Sequence, residues 1–584
     1  MPLQTPLVSA SCRSVKGHLG MYGSFRSQLY RGSYSPRLRG EQSLRAQAEV
    51  KPWYQSLDPR RPIQSTIPGL DTNVWDQLEN CHAPTYPRLS EDISADVVII
   101  GGGITGLSIA YELIKEGKKV VVLEAATISS GQTGKSTAQL QLWNDTFYHK
   151  IEAERGLEVS TKVAEGHRFG IDNVKKVCDE EGIDCGFKYV DGHLYPKDEE
   201  SSSYDLLEQE LQASNRAGLS DVKWVDLGGG QDVGGIRRAV QFPRCANFDP
   251  IRYCEGLAKA ISKRGGAVYE TSRVKKAEGQ TVTTEAGQSI QTPVIVFATH
   301  SPTHKNLAVH ARQFPEKLYA VALQIPKGGM ADGQFWDTEA PYHSVRFVEG
   351  TSKGDCLLVR GNNHTTGIKP EEIDADTYEK LAQWARSRWP KAGEVAFEWS
   401  GQLYAPIDRL ALYGQDPFNA FHLDGTYYIA TGDAGQGTIG GQIAGKVISQ
   451  QILGQEGPWS EMFAPARLPP PSKDILSALG HVISDTTAGY VDIASPAGAQ
   501  MQNADGLAKD SGAIIQQGDA PKIAVYVDED GVQHKHSAIC PHMGCVVQWS
   551  PIDRSFNCPC HGAGFDRFGK IVQGPATSDL EPVK

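Results

Sequence analysis

Two short blocks of cysteine and histidine near the C-terminus have the residue types and spacing to hold a metal centre. The first is Cys540-x-His542, the second is Cys558-x-x-His561, and 15 residues separate them. Two thiolates on one iron and two neutral imidazoles on a second would ligate a binuclear iron–sulfur cluster, which carries a single electron. The same four side chains could instead hold a tetrahedral zinc ion, and a bare disulfide framework is the third alternative.

The order of the ligands favours iron over zinc. Zinc fingers usually pair like ligands, whereas here each block is mixed and is followed by a glycine-bearing turn, at Gly544 and at Gly562. Further along the chain, Gly574-Pro575-Ala576 matches the proline loop that covers the cluster in Rieske domains. The two blocks and this loop together resemble a Rieske domain with a bridged cluster.

This resemblance implies the roles of six residues. It implies a [2Fe-2S] cluster held by Cys540, His542, Cys558 and His561. It also implies a disulfide between Cys545 and Cys560 that ties the two ligand loops together. On a solvent-facing tip the histidines would lie at the exposed end of the cluster, so electrons are expected to enter or leave through His542 and His561.

A second constellation, near residue 100, predicts a dinucleotide-binding fold. The apolar run Val97–Ile100 predicts a short buried strand, and apolar residues at helical spacing follow it. Between them lies a Gly-x-Gly-x-x-Gly motif formed by Gly101, Gly103 and Gly106. These glycines would let the backbone approach a pyrophosphate at the helix N-terminus. The next predicted strand ends at Glu124, 18 residues after Gly106, where a carboxylate would bind an adenosine ribose.

The motif alone does not separate FAD from NAD, but a later segment does. After a predicted strand, residues 432–441 form a glycine-rich turn and a helix start. With the first motif, this segment resembles the D-amino acid oxidase, glycine oxidase and sarcosine oxidase family of FAD enzymes, over roughly residues 95–455. The resemblance implies that FAD packs against Gly432, Asp433, Gly435, Gly437 and Thr438. Val274, at the end of a strand predicted for Ala267–Val274, is a further candidate contact.

The predicted fold is an α/β (α+β) Rossmann-like FAD-binding domain with an interleaved mixed-sheet substrate domain, followed by a small all-β Rieske domain. The expected boundaries are 95–460 for the FAD domain, with its substrate lobe at about 142–240 and 305–395, then a proline-stiffened linker at 461–504 and the Rieske domain at 505–584. Another glycine-rich stretch, residues 228–235, is predicted to be a surface loop because no clear strand precedes it. NAD(P)H therefore has no evident binding site.

The substrate pocket is expected within the mixed sheet. In glycine-oxidase-like enzymes an arginine at the position of Arg346 holds the substrate carboxylate through a two-pronged ion pair; the alternative is a surface arginine on a strand edge. Tyr404 is a second candidate catalytic residue, and His343 is a further candidate for the pocket wall.

These features predict an FAD-dependent oxidoreductase that oxidises a small amine or amino acid-like substrate. The flavin would take two electrons, and the cluster would pass them one at a time to an external soluble carrier. In one alternative the electrons flow in the opposite direction: a ferredoxin-like donor reduces the cluster, which then reduces the flavin and a bound organic acceptor. Another is a non-catalytic redox sensor or scaffold.

The N-terminal part of the chain differs from the rest in composition. The first 40 residues contain six basic residues, seven serines and no acidic residue, a composition typical of an organelle transit peptide. Residues 1–47 are therefore predicted to be a leader, with a chloroplast favoured over a mitochondrion and a disordered tail as the alternative, and residues 48–94 to be an extension. Because the whole chain has a formal net charge of −11, nucleic acid is an unexpected partner. No apolar run is long enough for a transmembrane segment.

Overall fold

The computed structural model describes residues 73–75, 86–304, 307–367, 373–417, 425–473, 475–480, 504–516 and 520–583. All of them belong to one compact unit, residues 50–584. The predicted leader (1–47) and most of the extension (48–94) lie outside the described residues. So do residues 481–503, which make up most of the predicted linker (461–504). The described residues up to 480 form the large domain, and residues 504–583 form the small domain.

The large domain contains both strands and helices. Its strands are β1 (Ile93–Ser94), β2 (Val97–Ile100), β3 (Val120–Leu123), β4 (Gln139–Leu140), β5 (Lys188–Tyr195), β6 (Lys223–Asp226), β7 (Arg238–Asn247), β8 (Ala267–Tyr269), β9 (Val274–Glu278), β10 (Thr281–Thr284), β11 (Ser289–Gln291), β12 (Val294–Phe297), β13 (Gln313–Gln324), β14 (Gln334–Asp337), β15 (Ser344–Thr351), β16 (Gly354–Thr365), β17 (Val395–Pro406), β18 (Leu412–Gln415) and β19 (Thr426–Thr431). Its helices are α1 (Ile104–Lys115), α2 (Tyr148–Arg155), α3 (Leu157–Glu181), α4 (Ser201–Arg216), α5 (Pro250–Lys263), α6 (Leu307–His310), α7 (Thr377–Arg388), α8 (Gly437–Ile452) and α9 (Ser460–Phe463).

A six-stranded sheet with the order β18-β19-β12-β2-β3-β8 forms the centre of the large domain. All its pairs are parallel except β18 with β19. The continuous apolar sequences of β2 and β3 are buried at every position, as parallel strands covered on both faces require. Helix α1 packs against α5 and α8 beside this sheet, and a four-stranded sheet, β1-β11-β10-β9, is attached to the domain.

A nine-stranded mixed sheet forms the second layer. Its order is β17-β13-β16-β15-β14-β5-β7-β4, with β6 paired to β7. Within it β14 runs parallel to β5, whereas the other pairs are antiparallel. The predicted interleaved mixed-sheet domain is therefore confirmed. In the glycine-rich stretch 228–235 the structure has turns and a three-residue 3-10 helix, Gln231–Val233.

The small domain consists of two antiparallel sheets. The first contains β20 (Ser511–Ile515), β21 (Ile523–Val527) and β22 (Gln533–Ser537). The second contains β23 (Gln548–Ser550), β24 (Ser555–Asn557), β25 (Gly564–Asp566) and β26 (Ile571–Gln573). Buried aromatic residues share its core with four cysteines: Trp549, Phe556, Phe565, Cys540, Cys545, Cys558 and Cys560. The predicted all-β class is confirmed. No helix among the described residues of either domain combines the length and apolarity needed to cross a bilayer.

A buried carboxylate ties the end of β17 to three other parts of the large domain. Asp408 is 1% exposed and accepts from Arg155 at 2.7 Å, from Arg312 at 3.0 Å and from Arg467 at 2.8 Å and 2.9 Å. Burial alone would raise the pKa of Asp408, but the charges of Arg467, Arg155 and Arg312 together hold it below its ordinary value. These arginines belong to the end of α2, the start of β13 and the segment after α9.

Replacing Asp408 by Asn should therefore lower the free energy of unfolding by about 3–5 kcal/mol, because three largely buried cations lose their counter-charge. Urea unfolding followed by tryptophan fluorescence measures the loss. Because the pKa of Asp408 is depressed in the folded protein, its contribution is present at neutral pH and is lost as the pH falls through that pKa. The two proteins should therefore converge in stability at acid pH.

The matched control is Asp179→Asn, which breaks an exposed i,i+4 pair with Lys175 and should cost less than about 0.5 kcal/mol. Equal losses in the two variants would contradict the prediction.

Candidate functional site

A cavity of about 720 Å³ lies at the carboxyl ends of the parallel strands β2, β3, β12 and β19. This is the edge of a parallel sheet where ligands bind in doubly wound folds. Eight residues predicted to bind the cofactor line it: Gly101, Gly103, Glu124, Val274, Asp433, Gly435, Gly437 and Thr438. The sequence motifs from the two ends of the large domain therefore meet at one cavity.

The remaining two predicted glycines do not line this cavity, but they shape the backbone next to it. Gly106 lies in α1, where a Cβ atom would stand 2.0 Å from the carbonyl oxygen of Gly101, so only glycine allows the helix to pack this closely on the turn. Gly432 has φ +71° and turns the chain from β19 toward α8. Gly101 itself has φ +113°, and a Cβ atom there would lie 2.4 Å from the carbonyl oxygen of Ala298.

Glu124 is fixed at the end of β3 by backbone donors. Its Oε2 accepts from the amide of Gly102 at 2.7 Å and its Oε1 from the amide of Ala126 at 2.9 Å. Burial raises the pKa of Glu124, and these two bonds and the charge of Arg273 oppose the rise. A carboxylate held in this way has lone pairs left to accept hydrogen bonds from the hydroxyls of a ribose.

Val274 reaches the cavity by a different route from the one predicted. The single strand expected for Ala267–Val274 is two strands, β8 and β9, with a turn between them in which Thr271 has φ +47°. The turn forms because the amides of Thr271 and Ser272 donate to the carbonyls of Ala126 and Glu124. Val274 therefore begins β9 and lines the same cavity as Glu124.

The four predicted cluster ligands lie together in the small domain. Cys540 and His542 belong to the loop between β22 and β23, and Cys558 and His561 to the loop between β24 and β25. Both thiols are free and buried, and the two imidazole rings are 5.0 Å apart. The predicted disulfide between Cys545 and Cys560 is present and joins the two loops.

The two ligand loops are closed by matching backbone hydrogen bonds. The amides of Cys540 and Gly544 donate to the carbonyls of Cys545 and Cys540, and those of Cys558 and Gly562 donate to the carbonyls of Ala563 and Cys558. Gly544 and Gly562 both have positive φ, as each tight turn requires. The buried Nδ1 of His561 has no hydrogen-bond partner within the described part of the chain. Two thiols and two imidazoles converging in this way fit a [2Fe-2S] cluster.

The expected exposure of the two histidines is wrong. His542 is 3% exposed and His561 is 4% exposed, because the large domain covers this end of the small domain. The ring of His310, at the end of α6, lies 4.9 Å from the ring of His542 and 5.0 Å from that of His561. Tyr404 donates to the carbonyl of His561 at 2.8 Å.

Two glycines permit this close approach. A Cβ atom on Gly562 would lie 2.4 Å from Nε2 of Gln402 and 2.7 Å from Cβ of Pro315. A Cβ atom on Gly367, in the large domain, would lie 2.6 Å from the backbone nitrogen of Pro559. The large domain therefore packs directly on the backbone of the cluster loop, which buries the ligands.

A single layer of side chains separates the cavity from the cluster loop. Gln402 lines the cavity, and its Nε2 donates to the carbonyl of Gly562 at 3.1 Å. His300 also lines the cavity; its Nε2 lies 3.0 Å from the carbonyl of Gln402 and its ring packs against that of Tyr404 at 4.9 Å. Burial lowers the pKa of His300. Tyr404 is thus placed against the cluster loop, rather than on the cavity surface where a substrate would bind.

Arg346 is not placed where the resemblance implied. Its Nη1 donates to the carbonyls of Ala138 at 2.6 Å, Thr137 at 3.2 Å and Phe248 at 3.3 Å, and its Nε donates to the carbonyl of Phe347. Burial lowers the pKa of Arg346 to about 9. These acceptors make Arg346 a support of the wall that contains Thr137 and Ala138. His343 is directed elsewhere too, because it pairs with Asp337 at 2.8 Å and stacks on Trp384.

The arginine that lines the cavity is Arg360, on the neighbouring strand β16. Its Nη1 donates to the hydroxyl of Tyr342 at 2.6 Å and lies 3.9 Å from the carboxylate of Asp145. Its Nε is buried and has no hydrogen-bond partner among the described residues. The hydroxyl of Tyr342 in turn donates to Asp145. Arg360 is therefore a cation of the cavity wall that Tyr342 and Asp145 hold in place.

Lys135 is another residue of the cavity wall that sequence patterns did not single out. Burial lowers the pKa of Lys135 to about 7, the charge of Lys317 adds to the effect, and Asp553 of the small domain opposes it. None of the three residues Lys135, Arg360 and His310 belongs to a sequence motif, so the sequence around them did not identify them as site residues. Only the fold brings them to the two sites.

Comparison with known proteins agrees with both sites. Residues 96–451 match the FAD dependent oxidoreductase family model, and residues 501–584 match the Rieske [2Fe-2S] domain model. YhfW of Bacillus subtilis, which is named as a Rieske 2Fe-2S iron-sulfur protein, is 28% identical over 86% of this chain and 95% of its own length. Gamma-glutamylputrescine oxidoreductase of Escherichia coli is 25% identical over 64% of this chain and 87% of its own.

Among solved structures, glycine oxidase of Geobacillus kaustophilus superposes with a TM-score of 0.52 at 18% identity, over 64% of this chain and 99% of the other. This similarity supports the fold of the large domain. FAD fits the cavity, and a [2Fe-2S] cluster fits the loops that carry the four ligands. The chain belongs to the FAD dependent oxidoreductase family, and its C-terminal part is a Rieske [2Fe-2S] domain.

Proposed function

We propose that the large domain oxidises a small amine or amino acid-like substrate and that the small domain passes the electrons, one at a time, to an external soluble carrier. The observation that carries this proposal is the shared wall between the two sites. Gln402 contacts the cavity on one side and the cluster loop on the other. Electrons delivered to a flavin in the cavity therefore have a short route to His561, through Gln402, His300 and Tyr404.

The names of the relatives support a substrate in which an amine nitrogen is bonded to the carbon that is oxidised. One relative acts as a gamma-glutamylputrescine oxidoreductase and a structural neighbour is a glycine oxidase. When bound, FAD accepts the hydride from such a carbon. The chain's own contribution is to bind and orient the donor and to exclude water. In the described residues the substrate side of the cavity is built from Arg360 on β16 and from Gln402 and Leu403 on β17.

Arg360 supports a substrate that also has a carboxylate. Its guanidinium is held by Tyr342 and Asp145 in the cavity wall, where its positive charge can attract a substrate carboxylate. A charge-assisted hydrogen bond in a buried site is stronger than one between neutral groups. Arg360 would therefore position the substrate, and the amine-bearing carbon would face the flavin.

The first test is anaerobic mixing of the purified holoenzyme with a panel of amines and amino acids. Flavin absorbance reports the first step, and paramagnetic resonance of the reduced cluster reports the second. We expect at least one donor to bleach the flavin and then to reduce the cluster. A donor that reduces the flavin completely while the cluster stays oxidised would contradict the proposed transfer.

The second test is Arg360→Met. Removing one partner of a buried charge-assisted contact typically costs about 2–5 kcal/mol, which is roughly 30-fold or more in kcat/KM. We expect this loss for an amino acid substrate and a much smaller loss for the amine that lacks its carboxylate. The amine is the internal control, because general damage to the site would lower both values. Equal losses for the two substrates would contradict the role given to Arg360.

A further inference from the structure

The wall of the FAD cavity is completed by the small domain. Besides residues of the large domain, the cavity is lined by residues between Asp566 and Thr577, including all of β26, Gly574 and Ala576. They run from the end of β25 through β26 and the proline loop. The cavity therefore exists in this shape only while the two domains are docked.

Hydrogen bonds cross the domain boundary at the edge of the cavity. Gln132 donates from Nε2 to Oε1 of Gln573 at 2.8 Å, and Arg273 donates to the carbonyl of Ile571 at 3.3 Å. All four residues also line the cavity. A group bound in the cavity would thus touch both sides of the same boundary.

A second contact between the domains lies outside the cavity lining. Asp553 of the small domain accepts from the ammonium of Lys317 at 3.0 Å and from the hydroxyl of Ser400 at 2.6 Å. The side chains of Asp553 and Lys317 are 1% and 9% exposed. Lys317 belongs to the large domain and Asp553 to the small domain. Separation of the domains would therefore break this buried ion pair. We call Asp553, Lys317 and Ser400 the latch.

We propose that the small domain is the lid of the FAD site, so that FAD binding and domain docking stabilise each other. A cofactor that contacts both domains binds the docked form better than the separated form. The factor by which docking tightens FAD binding must equal the factor by which FAD tightens docking. The domain that carries the cluster is then held in place partly by the flavin. This inference rests on the cavity and the interface and is independent of the substrate and of the direction of electron flow.

The test with variants compares Asp553→Asn with Asp510→Asn. Asp553→Asn weakens the latch without replacing a residue of the cavity lining, but it also removes a charge that raises the pKa of Lys135 in the cavity wall. Ser400→Ala, which removes a hydrogen bond of the latch and no charge, is therefore measured beside it and should weaken FAD binding in the same direction. Asp510 pairs with Arg554 at 2.9 Å and accepts from Tyr526, both within the small domain, so its replacement perturbs that domain but not the interface. Each deflavinated protein is titrated with FAD, and flavin fluorescence gives the dissociation constant.

We expect FAD to bind roughly tenfold more weakly, or worse, to Asp553→Asn, and within about twofold of the unchanged protein to Asp510→Asn. Iron content, measured on the same samples, shows that the small domain is folded in each. Unchanged FAD affinity in Asp553→Asn would overturn the proposal, as would an equal loss in the two variants.

A second measurement uses the unaltered protein and so does not depend on how a variant folds. Hydrogen exchange is compared with and without FAD, at residues 571–577 on the interface and at β21 inside the small domain. Removing FAD should speed exchange at 571–577 by several-fold and leave β21 unchanged. Equal exchange at 571–577 in the two forms would show that docking does not depend on FAD and would overturn the proposal.

Discussion

The contact between the cluster loop and strand β17 is the constraint on which the rest of the structure depends. Tyr404 and Gln402 donate to the carbonyls of His561 and Gly562. Gly562 lets the side chains of Gln402 and Pro315 approach the loop, and Gly367 packs directly on the backbone of Pro559. The same strand lines the cavity through Gln402 and Leu403. One strand therefore sets the position of the cluster and forms part of the flavin cavity.

This arrangement suits a change from two-electron to one-electron chemistry. The imidazole ligands are buried against His310 instead of facing water, and Tyr404 donates to the carbonyl of His561. Burial of these ligands would reduce the solvent reorganisation that an exposed cluster requires, because the residues that would hold its second iron lie under the large domain. The cost is a set of charged groups taken out of water at the boundary, and Asp553 offsets it by pairing with Lys317.

The parts of the site that are local in sequence could be predicted, and those made by packing could not. Gly101, Gly103 and Glu124 lie within one strand-turn-helix-strand unit, and the four ligands lie in two short loops, so their spacing carries the information. The cavity arginine is different. Arg346 and Arg360 lie on paired strands, with Ser344 opposite Arg360 and Leu358 opposite Arg346. They therefore share a face, and the choice between them depends on how the whole sheet lies over the cavity. His310 and the burial of His542 likewise depend on contacts between residues more than 200 positions apart.

The central claim is that the flavin and the cluster exchange electrons within one chain, across the wall that contains Gln402. The most direct measurement is the rate of cluster reduction after rapid anaerobic mixing with an effective donor, repeated over a wide range of protein concentration. The docked structure predicts a first-order rate constant that does not change on dilution, because both centres belong to the same molecule. A rate constant that falls in proportion to protein concentration would show transfer between molecules and would contradict the account.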